Sequence, residues 1–221
     1  MARAGRRRGT EHGPRPGATE EGSARQVLID ATVATLAERG FSATSARAVA
    51  ERAGVAAGGV FYHFGSMDDL LAAAFDQCNA ERFRRLGSAV TAPREELPDA
   101  LTAAARREFS SPTSRALLEI VIGSIGSPTL AAHVRRGVDD SARFTADVVR
   151  AVVGTSPAAS VLPIDLVAEL AASTFFGLEV LAHVGHEVDL EGVATLIRML
   201  TTLLGMAPGD PTPEPLTRRR R

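Results

Sequence analysis

Apolar side chains recur at three- and four-residue spacing along most of this chain, and no stretch alternates long enough to make a strand. The pattern predicts an all-α fold. Its first segments are 23–39, a short one opening at Thr44 or Ser45, 56–63, and 67 to about 88. Pro93 and Pro98 then break the chain, and helices are expected over 99–109, 113–125 and 128–153, the last with proline early, where a missing amide costs little. A loop over 154–163 and two more helices, 164–184 and 190–204, complete the pattern.

Residues 44–70 carry the sharpest local signal, two short helices joined by a glycine turn. The hydroxyl of Thr44 or Ser45 can accept a hydrogen bond from the unpaired amides of the next turn. Val49, Ala50 and Ala53 share an inward stripe, while Arg47, Glu51 and Arg52 point away. Gly54 follows, able to take the left-handed conformation that turns the chain sharply, and Val55 plugs the corner. The helix over 56–63 opens on Ala56, Ala57, Gly58 and Gly59, so small that the backbone can approach another surface such as a groove wall. Phe61, Tyr62 and His63 cluster at its end, and Phe64 turns back toward the core. Ser66 caps the next helix, whose first turn holds Asp68 and Asp69, where the helix dipole favours negative charge. This arrangement predicts a DNA-binding helix-turn-helix.

The amphipathic helix 23–39, Gly40-Phe41, the hydroxyl cap, Val49-Ala50, Ala53-Gly54-Val55, Gly58, the Phe61-Tyr62-His63-Phe64 run and Ser66-x-x-Asp69-Leu70 resemble the signature of TetR-family transcriptional regulators. The resemblance implies a helix-turn-helix head whose second helix enters the major groove, followed by a larger helical domain for effector binding and dimerisation. It gives Ser45 and Arg47 phosphate or base contacts, and Ala57, Gly59, Phe61, Tyr62 and His63 the recognition surface. It further implies a ligand-responsive repressor that acts as a homodimer on a palindromic operator, with no cofactor. The chain departs from the family at Ala57, Gly59, Phe61, Gly65 and Met67, positions that usually carry lysine, hydroxyl or tyrosine. Between Arg25 and Phe75 four arginines face five acids, so the head is formally acidic. DNA affinity scales with neutralised phosphates, which points to a weak or tail-dependent binder.

The tails hold much of the remaining positive charge, at Arg3, Arg6, Arg7, Arg8 and Arg15 and again at Arg218, Arg219, Arg220 and Arg221. Residues 1–22 and 207–221 are too rich in Gly, Pro and charge to build a core and are expected to be disordered. An arginine arm ahead of a helix-turn-helix can enter a neighbouring minor groove. All 25 basic residues are arginine, which reads as coding bias. A hydrophobic content of 45% suits a soluble globular protein with ample core. The single cysteine, Cys78, excludes an internal disulfide and suits a reducing compartment. No apolar run reaches the roughly 18 residues that span a bilayer, and no hydrophobic segment follows the arginine-rich start, so a cytoplasmic protein without membrane contact is expected.

The last two helices are apolar on more than one face, through Leu166, Val167, Leu170, Phe175, Leu178 and Leu181, then Val193, Leu196, Ile197, Leu200, Leu203 and Leu204. A symmetric dimer would hide that surplus in a four-helix bundle. Division into a head (23–70) and a body (71–206) follows. Within the body, Phe83, Phe109, Leu117, Ile120, Val121, Phe144, Phe175 and Phe176 are candidates for lining a pocket for an unidentified small apolar effector. Helical stripes of this kind are more often core than pocket. His183 and His186, with Glu179 and Glu187 near, form a weak metal motif better read as surface histidines. The Glu-x-x-His pairs of bundle metalloenzymes, a phosphate loop and a nucleophile elbow are all missing, which argues against an enzyme. The competing reading is a dimeric small-molecule-binding or interaction module with a weakened DNA-binding head.

Overall fold

The computed structural model describes residues 16–93, 95–153, 160 and 162–203. Their regular structure is entirely helical: α1 (Pro16–Arg39), α2 (Ala46–Ala53), α3 (Gly59–Phe64), α4 (Met67–Val90), α5 (Leu97–Phe109), α6 (Pro112–Gly123), α7 (Pro128–Val153), α8 (Ile164–His183) and α9 (Leu190–Leu203). Short 3-10 turns cover Phe41–Ala43 and Ser124–Gly126. The all-α expectation holds, and most boundaries fall within a residue or two of the sequence pattern.

The start of α1 and the end of α6 need correcting. The helix expected from Ser23 starts at Pro16, so residues 16–22 are helical rather than part of a disordered arm. Proline suits a first helical position because its fixed φ is already helical and the amide it lacks would have had no partner there. Residues 1–15 lie outside the described residues, as do 204–221 and most of the loop expected over 154–163. The helix expected to run to Ile125 stops at Gly123 and tightens into the Ser124–Gly126 turn.

The larger of two hydrophobic clusters among the described residues runs through the head and into the body. Leu28 and Leu36 of α1, Val49 and Ala50 of α2, and Val60 of α3 meet Leu70, Leu71, Ala74, Phe75 and Cys78 of α4. The same cluster continues into Ala116, Leu117 and Ile120 of α6 and Leu130 and Val134 of α7. Helix α1 therefore packs against α6 as well as against its own head. Burial pushes the Cys78 thiol up to about 12, so the sulfur behaves as a small apolar group.

Close approach of backbone and ring fixes the seam between head and body. The Phe41 ring lies where a side chain on Gly123 would be, 2.2 Å from the position a Cβ would take. The Phe41 amide donates to Glu119 Oε2 at 2.7 Å, so α6 both seats that ring and accepts from the backbone of the turn that carries it. A second fixed approach puts Phe75 within 2.2 Å of the Cβ position on Gly137 of α7. Ser127, at the start of α7, donates to Asp68 at the start of α4.

In the body, α4 packs on α5, α6 and α7, α8 lies on α7, and α9 lies on α5. Helices α8 and α9 keep apolar stripes in the open. Leu166, Leu170 and Leu181 are exposed along one line of α8, with Ser173 and Gly177 between them, and Val184 just past its end is exposed too. Val193, Leu196, Met199 and Leu200 are exposed on α9.

The seam yields a stability test. Gly123→Ala forces a methyl into the Phe41 ring and is expected to cost about 1–3 kcal/mol by urea unfolding. Gly126→Ala, which meets nothing within 4 Å, is expected to cost none of it. Equal stabilities for the two variants would contradict the packing.

Candidate functional site

Local chemistry builds the helix-turn-helix one contact at a time. Thr44 and Ser45 divide the work that either could have done: the Thr44 hydroxyl donates to the Gly40 carbonyl at 2.8 Å, and Ser45 Oγ accepts from the Ala48 amide at 3.2 Å and so caps α2. Gly54 ends α2 in the left-handed region at φ 67°, its amide bonded back to the helix. The Val55 amide donates to the Ala50 carbonyl at 3.0 Å, which places the Val55 side chain against the core.

The second helix is shorter than expected. It starts at Gly59 and not at Ala56, and Ala56, Ala57 and Gly58 form the turn itself. Adjacent glycines explain this, since each gives up more backbone freedom on entering a helix than any other residue. Ala57 is thus an exposed turn residue rather than a member of α3. At Gly59 a Cβ would come within 3.3 Å of Val55, so its smallness serves the corner, whereas Gly58 borders open space.

Helix α3 has a clear division of faces. Val60 is fully buried and anchors it, and Phe64 packs partly into the same core. Phe61 and Tyr62 point outward, 55% and 74% exposed, and His63 is half-buried with its ring edge-on to Tyr62 at 4.9 Å. Rings this exposed contribute little to a fold and are available to a partner surface.

Charge around this helix is sparse. Arg47 is exposed on α2 and makes no ion pair with a described residue. Arg52 is taken up by Glu38, whose carboxyl it holds below the usual range. Arg25 stands over the Phe64 ring at 4.7 Å, which brings a guanidinium to the end of α3. The sequence pattern had not singled Arg25 out, because it sits on α1 with no local motif around it. Ser45, Arg47, Phe61, Tyr62 and His63 therefore lie on α2 and α3, with Ala57 and Gly59 at the turn between them.

Comparison with known proteins now identifies the fold. The sequence model of the bacterial regulatory proteins of the tetR family matches residues 28–74, the span that builds the head. Over that span the chain is similar to TetR-family regulators. An uncharacterized HTH-type transcriptional regulator of Mycobacterium tuberculosis is 29% identical over 181 residues, which cover 80% of this chain and 90% of that protein. Among solved structures, a TetR-family member from Streptomyces coelicolor superposes with a TM-score of 0.61 at 21% identity, covering 80% of this chain and 97% of that one. The multidrug binding protein EbrR, complexed with ethidium, does so with a TM-score of 0.64 at 20% identity, covering 80% and 98%. These similar proteins are DNA-binding transcriptional regulators rather than enzymes, and their fold is the fold of this chain.

The residues expected to line an effector pocket divide into two sets. Leu117, Ile120 and Val121 belong to the core that joins α6 to the head. Phe83 and Phe144 pair between α4 and α7 with ring centres 5.2 Å apart, and Phe109 and Phe175 pair between α5 and α8 at 5.0 Å. Phe176 is half-buried on α8. His183 Nδ1 donates to the Glu179 carbonyl at 2.9 Å and His186 is exposed; the described residues contain no cluster of His, Cys, Asp and Glu able to hold a metal.

Between the aromatic pairs lies an ionic cluster that the sequence did not reveal. Arg82 bonds Glu108 at 3.0 Å and also Glu179, and Arg85 bonds the other Glu108 oxygen at 2.7 Å and Glu81 at 3.3 Å. Ser114 Oγ donates to Glu179 Oε1 at 2.5 Å. Periodicity could not announce these contacts, because they join α4, α5, α6 and α8 across the body.

The two faces of α3 predict opposite behaviour. Val60→Ala is expected to lower stability by about 1–3 kcal/mol through the cavity it leaves. Phe61→Ala is expected to stay within about 0.5 kcal/mol of the native protein. Chemical denaturation measures both, and a large loss at Phe61 would show that its ring is part of the core.

Proposed function

We propose that this protein is a ligand-responsive repressor that binds a palindromic operator as a homodimer, in the cytoplasm. The observation that carries the reading is the exposed Phe61–Tyr62 tip of α3, anchored from behind by Val60. On this reading α3 lies in the major groove, Phe61, Tyr62 and His63 meet the duplex with Ala57 and Gly59 at its near end, and Ser45 and Arg47 contact phosphate or bases from α2. The arginines of residues 1–15 and 218–221 add phosphate contacts. The head, about residues 23–70, is the reading unit and the remainder is the responding unit. No helix among the described residues is long and apolar enough to cross a membrane.

The stripes on α8 and α9 support dimerisation. Exposed leucines at helical spacing are costly to leave in water, at roughly 25 cal/mol per Å² of apolar surface. Pairing α8 and α9 with their copies would cover them and leave Ser173 and Gly177 as points of close approach. Two heads held about 34–36 Å apart would then read two half-sites on one face of the duplex.

Response to a small molecule is supported by the aromatic pairs of the body, and by the complexes of EbrR with imidazole and with ethidium. A ligand that fits one spacing of the heads better than another shifts the population toward it. Helix α6 offers a route. It touches Glu179 through Ser114 near its start, and it touches Phe41 through Glu119 and Gly123 near its end. The pairing of Arg52 with Glu38 takes one more cation away from phosphate and favours the competing reading of a weakened head.

Selection of DNA fragments from the parent genome by the purified protein separates these readings. Enrichment of fragments bearing an inverted repeat is expected, with Arg47→Ala lowering the salt slope of binding by about 1. Failure to enrich any fragment at low salt would leave only the weakened head. For the assembly, sedimentation is expected to give a dimer for the native protein and a monomer for Leu170→Glu combined with Leu196→Glu. A native monomer would contradict the proposed interface.

A further inference from the structure

Glu179 holds an oxygen that the rest of the protein does not satisfy. Its side chain is 0% exposed, and Oε1 accepts from both Arg82 and Ser114. Oε2 is buried and has no hydrogen-bond partner, alone in this among the described residues. Charged, the carboxylate leaves a lone oxygen without a donor; protonated on Oε2, it would leave a buried O–H without an acceptor. Neither state is complete, and buried polar groups in folded proteins are otherwise nearly always paired.

The surroundings specify what would complete it. Across the cluster, Arg82 and Arg85 face Glu81, Glu108 and Glu179, two cations against three carboxylates. Burial pushes the Glu179 carboxyl up, and the charge of Arg82 only partly offsets that. His183, one turn along α8, is bonded to the Glu179 backbone carbonyl and leaves Oε2 unserved. Apolar rings stand beside the site: Phe175 packs on Phe109, and the Arg82 guanidinium lies 6.0 Å above Phe175. An apolar wall with one convergent polar group is the usual make-up of a small-molecule site.

We infer that the effector of this protein is a small amine, protonated when bound, whose N–H donates to Glu179 Oε2 while its apolar part lies against Phe175 and Phe109. This rests on the effector-responsive reading proposed above. A nitrogen bearing N–H satisfies both deficits at once, the missing donor and the excess negative charge, whereas a quaternary ammonium supplies charge alone and an alcohol supplies a donor alone. Because Ser114 of α6 shares the Glu179 carboxylate, an amine there would also alter the contact through which α6 meets the body.

The test uses the full-length protein and four primary amines of rising size, propylamine, benzylamine, phenethylamine and 4-phenylbutylamine, each beside its alcohol and its trimethylammonium analogue. Calorimetry and thermal unfolding are expected to show at least one amine binding about tenfold or more tightly than both analogues, the margin expected of a charged hydrogen bond. Glu179→Gln is expected to abolish that preference, and Ser114→Ala, which leaves Oε2 untouched, to keep it. Should Glu179→Gln fail to fold, the ranking in the native protein decides. If no amine in the series outbinds its alcohol, or if Glu179→Gln folds and keeps the preference, the proposal is overturned. Operator affinity measured alongside separates the two claims. An amine that binds at Glu179 without changing DNA affinity keeps the site and removes the effector reading; release of DNA by another compound, with no amine bound, does the reverse.

Discussion

Everything this molecule can do with its head depends on how the Phe41 ring seats on Gly123. A side chain at Gly123 would occupy the same space as the ring, and the Glu119 carboxylate takes the amide of the same phenylalanine. Phe41 lies in the turn between α1 and α2, so α6 sets where the recognition elements stand relative to the body. Packed interiors are dense and switch between discrete arrangements more readily than they deform. A displacement of α6 would therefore reach the head as a change of orientation rather than fade along the way.

The molecule carries two kinds of apolar exposure, and they follow from different constraints. At α3, burying Val60 on one side forces Phe61 and Tyr62 to the other, so one short helix is both anchored and available. On α8 and α9 the exposure is extended and linear, the form expected of a face shared with a second copy. Between them sits the polar cluster of Arg82, Arg85, Glu108 and Glu179. Burying so many charges is expensive unless each is paired, and Glu179 is the point at which that pairing remains incomplete.

The fold was largely legible because it is written in local signals. Helical spacing, prolines near helix starts and the serine caps at Ser45 and Ser66 act within a few residues, and the structure repeats them. The misjudged boundaries involve glycine or proline. Gly58 and Gly59 held back the start of α3, Gly123 ended α6 early, and Pro16 opened α1 sooner than expected. The outward aromatic tip was legible for the same reason, since Val60 and Phe61 are neighbours on opposite faces. Arg25 over Phe64 and the Glu179 cluster were not, because each joins helices distant in the chain. The same holds for Leu117 and Ile120, whose stripe reads alike whether it faces a ligand or the head.

The central claim is that α3, tipped by Phe61 and Tyr62, enters the major groove twice in a symmetric complex. A crystal structure of the full-length protein with its selected operator tests this most directly. The account predicts two copies joined through α8 and α9, with both α3 helices in successive major grooves on one face of the duplex. A complex in which α3 stands clear of the DNA, or in which one copy binds alone, would contradict it.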